Sequence, residues 1–266
     1  MNPQLHSTLY AGTTGGVFKS TNSGSTWSAT GLTGLTNYVP PNDLVIDPAT
    51  TSTLYAGTLL NGVFKSPDGG ATWSPINTGL PSNFGSFNII FLAIDPKTPA
   101  TLYAASGSVG VLKTVNGGAS WNPTGLYNPN GSLNTSVSAL LIDPFTPSTL
   151  YAATATGIVK SVDSGVSWTP PIVLNGSVQS LTISPVNEST LYAGTDRGLF
   201  VSPNGGTTWN PTGLTSFVSS LVVDPVNPGT LYASSSGGVF KSIDGLGANW
   251  NASNTCLLYT SDAADE

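Results

Sequence analysis

One stretch of eight residues, Ser-Pro-Asp-Gly-Gly-Ala-Thr-Trp from Ser66 to Trp73, constrains this chain more than any other feature, because it occurs six times. The copies end at Trp27, Trp73, Trp121, Trp168, Trp209 and Trp250, so every tryptophan of the chain closes one. Successive tryptophans lie 46, 48, 47, 41 and 41 residues apart. A fixed period of that length marks an array of supersecondary units that bury their apolar faces only by stacking on one another.

Within a period the spacing predicts four short strands. Leu44-Val45-Ile46-Asp47 is stopped by Pro48, which has no N–H to give a ladder. Thr53 to Thr58 follows a short turn, Gly62 to Ser66 comes third, the eight-residue box makes the next turn, and Thr72-Trp73 opens the fourth. Runs of Val, Leu, Tyr and Phe between Gly, Pro and Asn clusters are the all-β signal. A tyrosine recurs on the second strand at Tyr10, Tyr55, Tyr103, Tyr151, Tyr192 and Tyr232. Four strands per period of this length predict a β-propeller blade, with a solenoid as runner-up.

Composition narrows what such an array can bind. Only 8% of residues are charged, against roughly 25% in ordinary soluble domains. Seven basic residues against thirteen acidic ones argue against a nucleic-acid partner, which needs clustered Lys and Arg. No apolar run reaches the ~20 residues of a membrane-spanning helix, and no secretory signal peptide is visible. The one cysteine, Cys256, cannot form an intrachain disulfide.

The segment 256–266, Cys-Leu-Leu-Tyr-Thr-Ser-Asp-Ala-Ala-Asp-Glu, breaks the repeat and resembles translated sequencing adapter. It is set apart as a non-native tail, leaving 1–255 as a propeller domain. Five first strands accompany six sets of the other three, so blade one is expected to lack its innermost strand. The chain is then expected to be part of a seven-bladed or tandem propeller.

The third box position reads Asn22, Asp68, Asn116, Asp163, Asn204 and Asp244. Asn is neither a general acid nor a general base. What Asn and Asp share is a short side-chain oxygen that accepts backbone N–H groups in a turn. The box is therefore read as a turn lock, with Gly24, Gly70, Gly118, Gly165 and Gly206 supplying positive φ and the tryptophans supplying apolar area. The Asp-Pro acids yield to the same comparison, since Ser184 and Asn2 replace Asp47, Asp95, Asp143 and Asp224 in other copies. Lys19, Lys65, Lys113, Lys160 and Lys241 are expected on a solvated strand face or in a rim pair worth ~0–1 kcal/mol. No metal-site spacing surrounds His6, and no cofactor or metal is expected.

The motif Ser-x-Asp-x-Gly-x-Thr-Trp resembles the Asp-box of bacterial neuraminidase repeats. With Thr-Leu-Tyr-Ala-Gly-Thr…Gly-Val-Phe-Lys-Ser, the period is similar to blades of xyloglucanase-like glycosidases, photosystem II assembly-factor-like proteins and sortilin-like ectodomains. The resemblance implies an all-β propeller of four-stranded antiparallel blades, six of them present. Because enzymes and binding proteins share these blades, it implies no single activity. Family habit and low charge suggest an extracellular or cell-surface protein.

Function is expected where the period varies. From the Asp-Pro position to the next box tryptophan the distance is 25 or 26 residues, whereas from tryptophan to the next such position it runs from 15 to 22. Insertions confined to one connection type emerge on one face of the ring. That face is expected to carry Tyr38, Asn42, Phe84, Phe87, Tyr127 and Asn130, with Asp196 and Arg197 from a second-to-third-strand loop. Aromatics among amides suit a carbohydrate or a polar protein surface. The expected function is thus a non-catalytic interaction module with a protein or glycan ligand.

The alternative is one propeller of a xyloglucanase-like glycoside hydrolase, whose resemblance implies a cleft between two propellers. Such chemistry needs two carboxyls roughly 5–9.5 Å apart, and Asp43 is the best single catalytic candidate. A sialidase reading fails on arginines: that resemblance implies a triad, and the chain has Arg197 alone.

Overall fold

The computed structural model describes residues 7–32, 41–81, 89–128, 130, 136–245 and 247–253. The chain divides into two compact units, Met1–Ile172 and Val173–Glu266.

The first unit holds four blades. Blade one contains β1 (Leu9–Thr13), β2 (Gly16–Ser20) and β3 (Ser28–Ala29), and blade two β4 (Pro41–Ile46), β5 (Leu54–Thr58), β6 (Val63–Ser66) and β7 (Ser74–Pro75). Blade three contains β8 (Ile89–Ile94), β9 (Leu102–Ser106), β10 (Gly110–Thr114) and β11 (Asn122–Tyr127). Blade four contains β12 (Val137–Ile142), β13 (Leu150–Thr154) and β14 (Gly157–Ser161).

The second unit holds two blades. Blade five is β15 (Val178–Ser184), β16 (Asn187–Thr195), β17 (Gly198–Ser202) and β18 (Asn210–Pro211). Blade six is β19 (Val218–Val223), β20 (Leu231–Ser235), β21 (Gly238–Ser242) and β22 (Asn251–Ala252). Each blade is an antiparallel meander in chain order, and the fold is all-β, with six propeller blades.

Two blades depart from four strands. Blade one pairs three strands among the described residues. Blade four is the unexpected case, with an isolated bridge between Ile158 and Ile172 where a fourth strand was predicted. Thr169-Pro170-Pro171 explains it: two consecutive prolines offer no N–H to a ladder. Thr169 partly compensates, its N–H reaching the Lys160 carbonyl at 2.8 Å and its hydroxyl accepting the Lys160 N–H at 3.0 Å. The fourth strands elsewhere start later than the box spacing predicts: β7 begins at Ser74, after Trp73.

The second strand is the most deeply covered element of blades two, three and four, and in blade five the third strand β17 is buried throughout. Every residue of β5, β9 and β13 is buried, as is the Leu191–Thr195 half of β16. Tyr55, Tyr103, Tyr151 and Tyr192 are among the largest fully buried side chains. Four tryptophans supply apolar area to the core: Trp121 at 2% exposure, and Trp73, Trp168 and Trp250 half-buried against the clusters, whereas Trp27 is 42% exposed.

Candidate binding face

The boxes close by a shared set of bonds, except that the Trp121 indole of box three turns to the Ile76 carbonyl. In blade two the Ser66 hydroxyl donates to Asp68 Oδ1 at 2.8 Å and accepts the Gly70 N–H at 2.9 Å. Asp68 Oδ1 also accepts the Thr72 N–H at 2.8 Å, and the Trp73 indole N–H reaches the Gly70 carbonyl at 3.1 Å. The hydroxyl one residue before the closing tryptophan lets Asn and Asp interchange. Thr72 Oγ1 donates to Asp68 Oδ2 at 2.6 Å, whereas in blade one Asn22 Nδ2 donates to Thr26 Oγ1 at 2.9 Å. A hydroxyl is both donor and acceptor and simply rotates. Asn116 with Ser120, and Asn204 with Thr208, repeat the amide form, and Asp163 with Ser167 repeats the carboxylate form. Asp244 holds the stretched sixth box by accepting the Ala248 and Asn249 N–H groups.

Hydrogen bonds from Thr72 and Ser167 hold the Asp68 and Asp163 carboxyls down at about 2. All five glycines expected at positive φ, and the residue before each, adopt it: Gly69 and Gly70 stand at 69° and 94°, and Ser164 and Gly165 at 60° and 86°.

The fourth box residue joins blades. Its N–H bonds the first-to-second-strand turn of its own blade, as Gly69 to the Ser52 carbonyl at 2.7 Å and Ser164 to the Ser148 carbonyl at 2.8 Å. Its carbonyl accepts from the preceding blade. Tyr10 and Lys19 both donate to the Gly69 carbonyl at 3.2 Å, and Lys65 to that of Gly117 at 3.2 Å. Tyr103 and Lys113 reach Ser164 at 3.2 and 3.4 Å.

The recurring lysines are therefore not on an idle solvated face. Tyr and Lys are cross-strand partners, and each ammonium lies 5.2–5.5 Å from the tyrosine ring. Burial, and then the charge of Asp47, push the Tyr55 phenol up to about 12, so the ring under the lysine is neutral. The recurrence of both residues was the available signal; pairing them across the hairpin would have found the contact.

The Asp-Pro acids cap their own turns. Asp47 Oδ1 accepts the Ala49 and Thr50 N–H groups at 2.8 and 3.0 Å, and Asp95, Asp143 and Asp224 do the same two and three residues on.

Asp43 has a different task. Each inner strand carries a register shift after its first residue, between Pro41 and Asp43 in β4. From there the carboxylate accepts the Leu44 N–H on one oxygen and the Leu92 N–H of β8 on the other, both at 2.8 Å, while Asn42 Nδ2 donates to the Ile89 carbonyl at 2.8 Å. Asn42 and Asp43 thus sew blade two to blade three. Burial raises the Asp43 pKa, against the two backbone bonds.

The variable connections and the second-to-third-strand loops lie together. Ser136 Oγ, entering blade four, donates to the Gly107 carbonyl at 2.7 Å. The Ser177 N–H, entering blade five, reaches Asp196 Oδ1 at 2.8 Å, and the Asp196 N–H returns to the Ser177 carbonyl at 3.1 Å. Tyr127 ends β11 half-buried, and Asn130 is exposed with its N–H on Asn128 Oδ1 at 3.0 Å. Asp196 and Arg197 are exposed at the tip between β16 and β17. Tyr127 and Asn130 belong to the first unit, Asp196 and Arg197 to the second. Tyr38, Phe84 and Phe87 lie outside the described residues. Among the described residues there is no group of three His, Cys, Asp or Glu able to hold a metal ion, and no helix long and apolar enough to cross a membrane.

No family model matches the chain, and no curated protein matches it. Solved structures do share its fold. An ancestral GH74 enzyme superposes with a TM-score of 0.76 at 21% identity, over 91% of this chain and 35% of that one. The GH74 xyloglucanase from Xanthomonas campestris gives 0.74 at 17% identity, over 94% and 46%. YCF48 bound to D1 peptide gives 0.68 at 15% identity, over 92% and 77%. The extracellular domain of a one-component system from B. thetaiotaomicron shares the fold as well, at 0.64 and 18% identity over 89% and 31%. The chain thus spans between a third and a half of the GH74 structures.

Proposed function

We propose that this chain is a non-catalytic propeller module that takes a protein segment or a glycan on its loop face and acts outside the cell or at its surface. The observation that carries this reading is the occupation of the carboxylates. The box acids, the Asp-Pro acids and Asp43 all accept backbone N–H groups within or between blades. Asp196 is held by Ser177, and Glu188 is exposed at the start of β16. A hydrolase needs a free pair of carboxyls across one sugar, and among the described residues none is assembled. The likeness to YCF48 bound to D1 peptide supports a peptide as ligand, and the likeness to an extracellular domain supports the location.

The test is a peptide and glycan array read alongside hydrolysis of β-glucans and xyloglucan. The expected result is a hit weakened by Tyr127→Ala or by Arg197→Ala, with no turnover. Turnover lost in Asp43→Asn, in a variant shown to remain folded, would instead establish the second reading, one propeller of a GH74-type hydrolase. That reading is favoured by the likeness to GH74 structures and by the half-buried Asp43, whose pKa desolvation raises.

A further inference from the structure

Five Asn-Gly pairs punctuate the chain, opening at Asn61, Asn116, Asn130, Asn175 and Asn204. Each pair carries its own electrophile and nucleophile. The glycine's backbone nitrogen can attack the amide carbon of the asparagine side chain, and no glycine side chain hinders the approach. How firmly the two groups are held decides whether they react. In the boxes both are committed. Asn116 Oδ1 accepts the Thr114 hydroxyl at 2.7 Å and the Ser120 N–H at 3.0 Å, while its Nδ2 donates to Ser120 Oγ at 3.0 Å. Asn204 is held in the same way by Ser202 and Thr208. The attacking nitrogens are tied down as well, Gly117 to the Ala100 carbonyl and Gly205 to the Ser189 carbonyl, each at 2.8 Å. Asn61 is half-buried, with its Nδ2 shielded from solvent, and Gly131 lies outside the described residues.

Asn175 stands apart. It is exposed, and its carboxamide makes no hydrogen bond among the described residues. The Gly176 N–H meets the Leu174 carbonyl at 3.0 Å, inside a three-residue turn centred on Asn175 itself. That bond belongs to no sheet and opens without disturbing one. Nor can the glycine give way to a bulkier, slower neighbour. Its φ is 125°, and a Cβ there would stand 2.5 Å from Asp196 Oδ1 and 3.0 Å from Thr195 Oγ1. The fold requires the very residue that makes Asn175 labile.

We propose that Asn175 is a site of spontaneous deamidation, and that the reaction loosens the loop beside it. A bond forms from Gly176 N to Asn175 Cγ and the Cγ–Nδ2 bond breaks. The glycine's amide proton leaves with that nitrogen as ammonia, and a five-membered succinimide remains. Water then opens the ring at either carbonyl to give aspartate or isoaspartate, with no change of oxidation state. Two residues on, Ser177 is clasped to Asp196: its N–H reaches Asp196 Oδ1 at 2.8 Å, and its carbonyl accepts the Asp196 N–H at 3.1 Å. Either product sets a new carboxylate near Asp196, which repels it. Isoaspartate also inserts a methylene into the main chain ahead of the clasp. The inference is independent of any ligand on the loop face.

Warm incubation of the full chain at mildly alkaline pH, followed by peptide mapping, tests it. The Asn175 peptide is expected to split into aspartate and isoaspartate forms at least about tenfold faster than the Asn116 and Asn204 peptides, since each box must open before it reacts. In urea the three should react at similar rates, because only the fold separates them. Hydrogen exchange at the Ser177 and Asp196 amides should speed up as conversion proceeds. Asn175→Gln, which would have to close a six-membered ring, should abolish both changes. Box peptides that convert as fast as the Asn175 peptide in the folded chain overturn the proposal. So does an Asn175 peptide that stays intact while the urea-unfolded chain converts. Conversion that leaves exchange at Ser177 and Asp196 unchanged overturns the loosening.

Discussion

The junction between blades two and three and the junction between blades five and six meet the same requirement with different residues. In the first, Lys65 reaches the Gly117 carbonyl, the Trp121 indole reaches the Ile76 carbonyl at 2.8 Å, and Asn42 and Asp43 bind β8. In the second, Val201 stands where the other blades carry lysine, and the Tyr192 hydroxyl meets the Gly245 carbonyl at 2.6 Å. Val201 packs instead with Tyr192, Leu199 and Leu214 in the apolar core of that junction. The box carbonyl is the fixed requirement and the lysine is not. A buried carbonyl needs one good donor, and where tyrosine supplies it at short range the neighbouring position is free to become apolar.

The comparison breaks first at Trp121. It is 2% exposed and packed with Tyr55, Val63 and Leu80, so Trp121→Ala should cost about 3–5 kcal/mol in urea unfolding. Trp250→Ala in the second junction should cost less, because that ring is half-buried. Equal costs would mean that the two boxes bear on their neighbours alike.

Asp43→Ala comes next. It leaves the Leu44 and Leu92 N–H groups without their acceptor, a loss of about 1–3 kcal/mol. Its pH dependence has an unusual sign. The folded pKa lies above the ordinary 3.8 because of burial. The folded state therefore holds this proton more tightly than the unfolded chain, and the carboxyl's contribution falls as pH rises through the folded value. The gap between wild type and Asp43→Ala should accordingly narrow as pH rises across that window. A gap that widens there would contradict the burial.

Tyr192→Phe should cost about 1–3 kcal/mol, since Val201 cannot take over the Gly245 carbonyl. Tyr103→Phe should cost less, because Lys113 still reaches Ser164. Val201→Lys in the Tyr192→Phe background is the sharpening step, with an expected recovery of about 0.5–1 kcal/mol if ammonium and phenol are interchangeable donors.

These junctions mark the limit of what was legible in the sequence. The blades were readable because the box is a local device: Asn and Asp alternate at its third position, glycine or serine takes positive φ, and each requirement acts within eight residues. The missing outer strand of blade four has an equally local cause in Pro170 and Pro171, although a fourth strand was expected there. What could not be read was which side chain meets the next blade. Trp121 looks the same in sequence as Trp27, yet the first is 2% exposed with its indole on the Ile76 carbonyl and the second is 42% exposed. Asn42 read as a binding-face residue and Asp43 as a catalytic candidate, whereas from the register shift at that point both bond β8. The proposed binding face was legible as a length difference, which names a face without naming its contacts.

The smallest expected effect lies in the boxes themselves. Box two carries a carboxylate at its third position and box five an amide, in nearly the same geometry: Asp68 Oδ1 and Asn204 Oδ1 each accept a backbone N–H at 2.8 Å. Neutral solution does not distinguish them, but acid should. Asp68 and Asp163 have folded pKa values of about 2, below the ordinary 3.8. The stability they contribute is fully present above the unfolded value and is lost as pH falls from about 4 towards about 2. Asn22, Asn116 and Asn204 undergo no such change. The double variant Asp68→Asn, Asp163→Asn should therefore keep the neutral-pH melting temperature nearly unchanged, since Thr72 and Ser167 can turn to accept from the new amides. Its acid branch should be flatter than that of the wild type in calorimetry across the same window. If both proteins lose stability in parallel, the carboxylates are not what the acid attacks, and the difference between the two kinds of box is one of sequence alone.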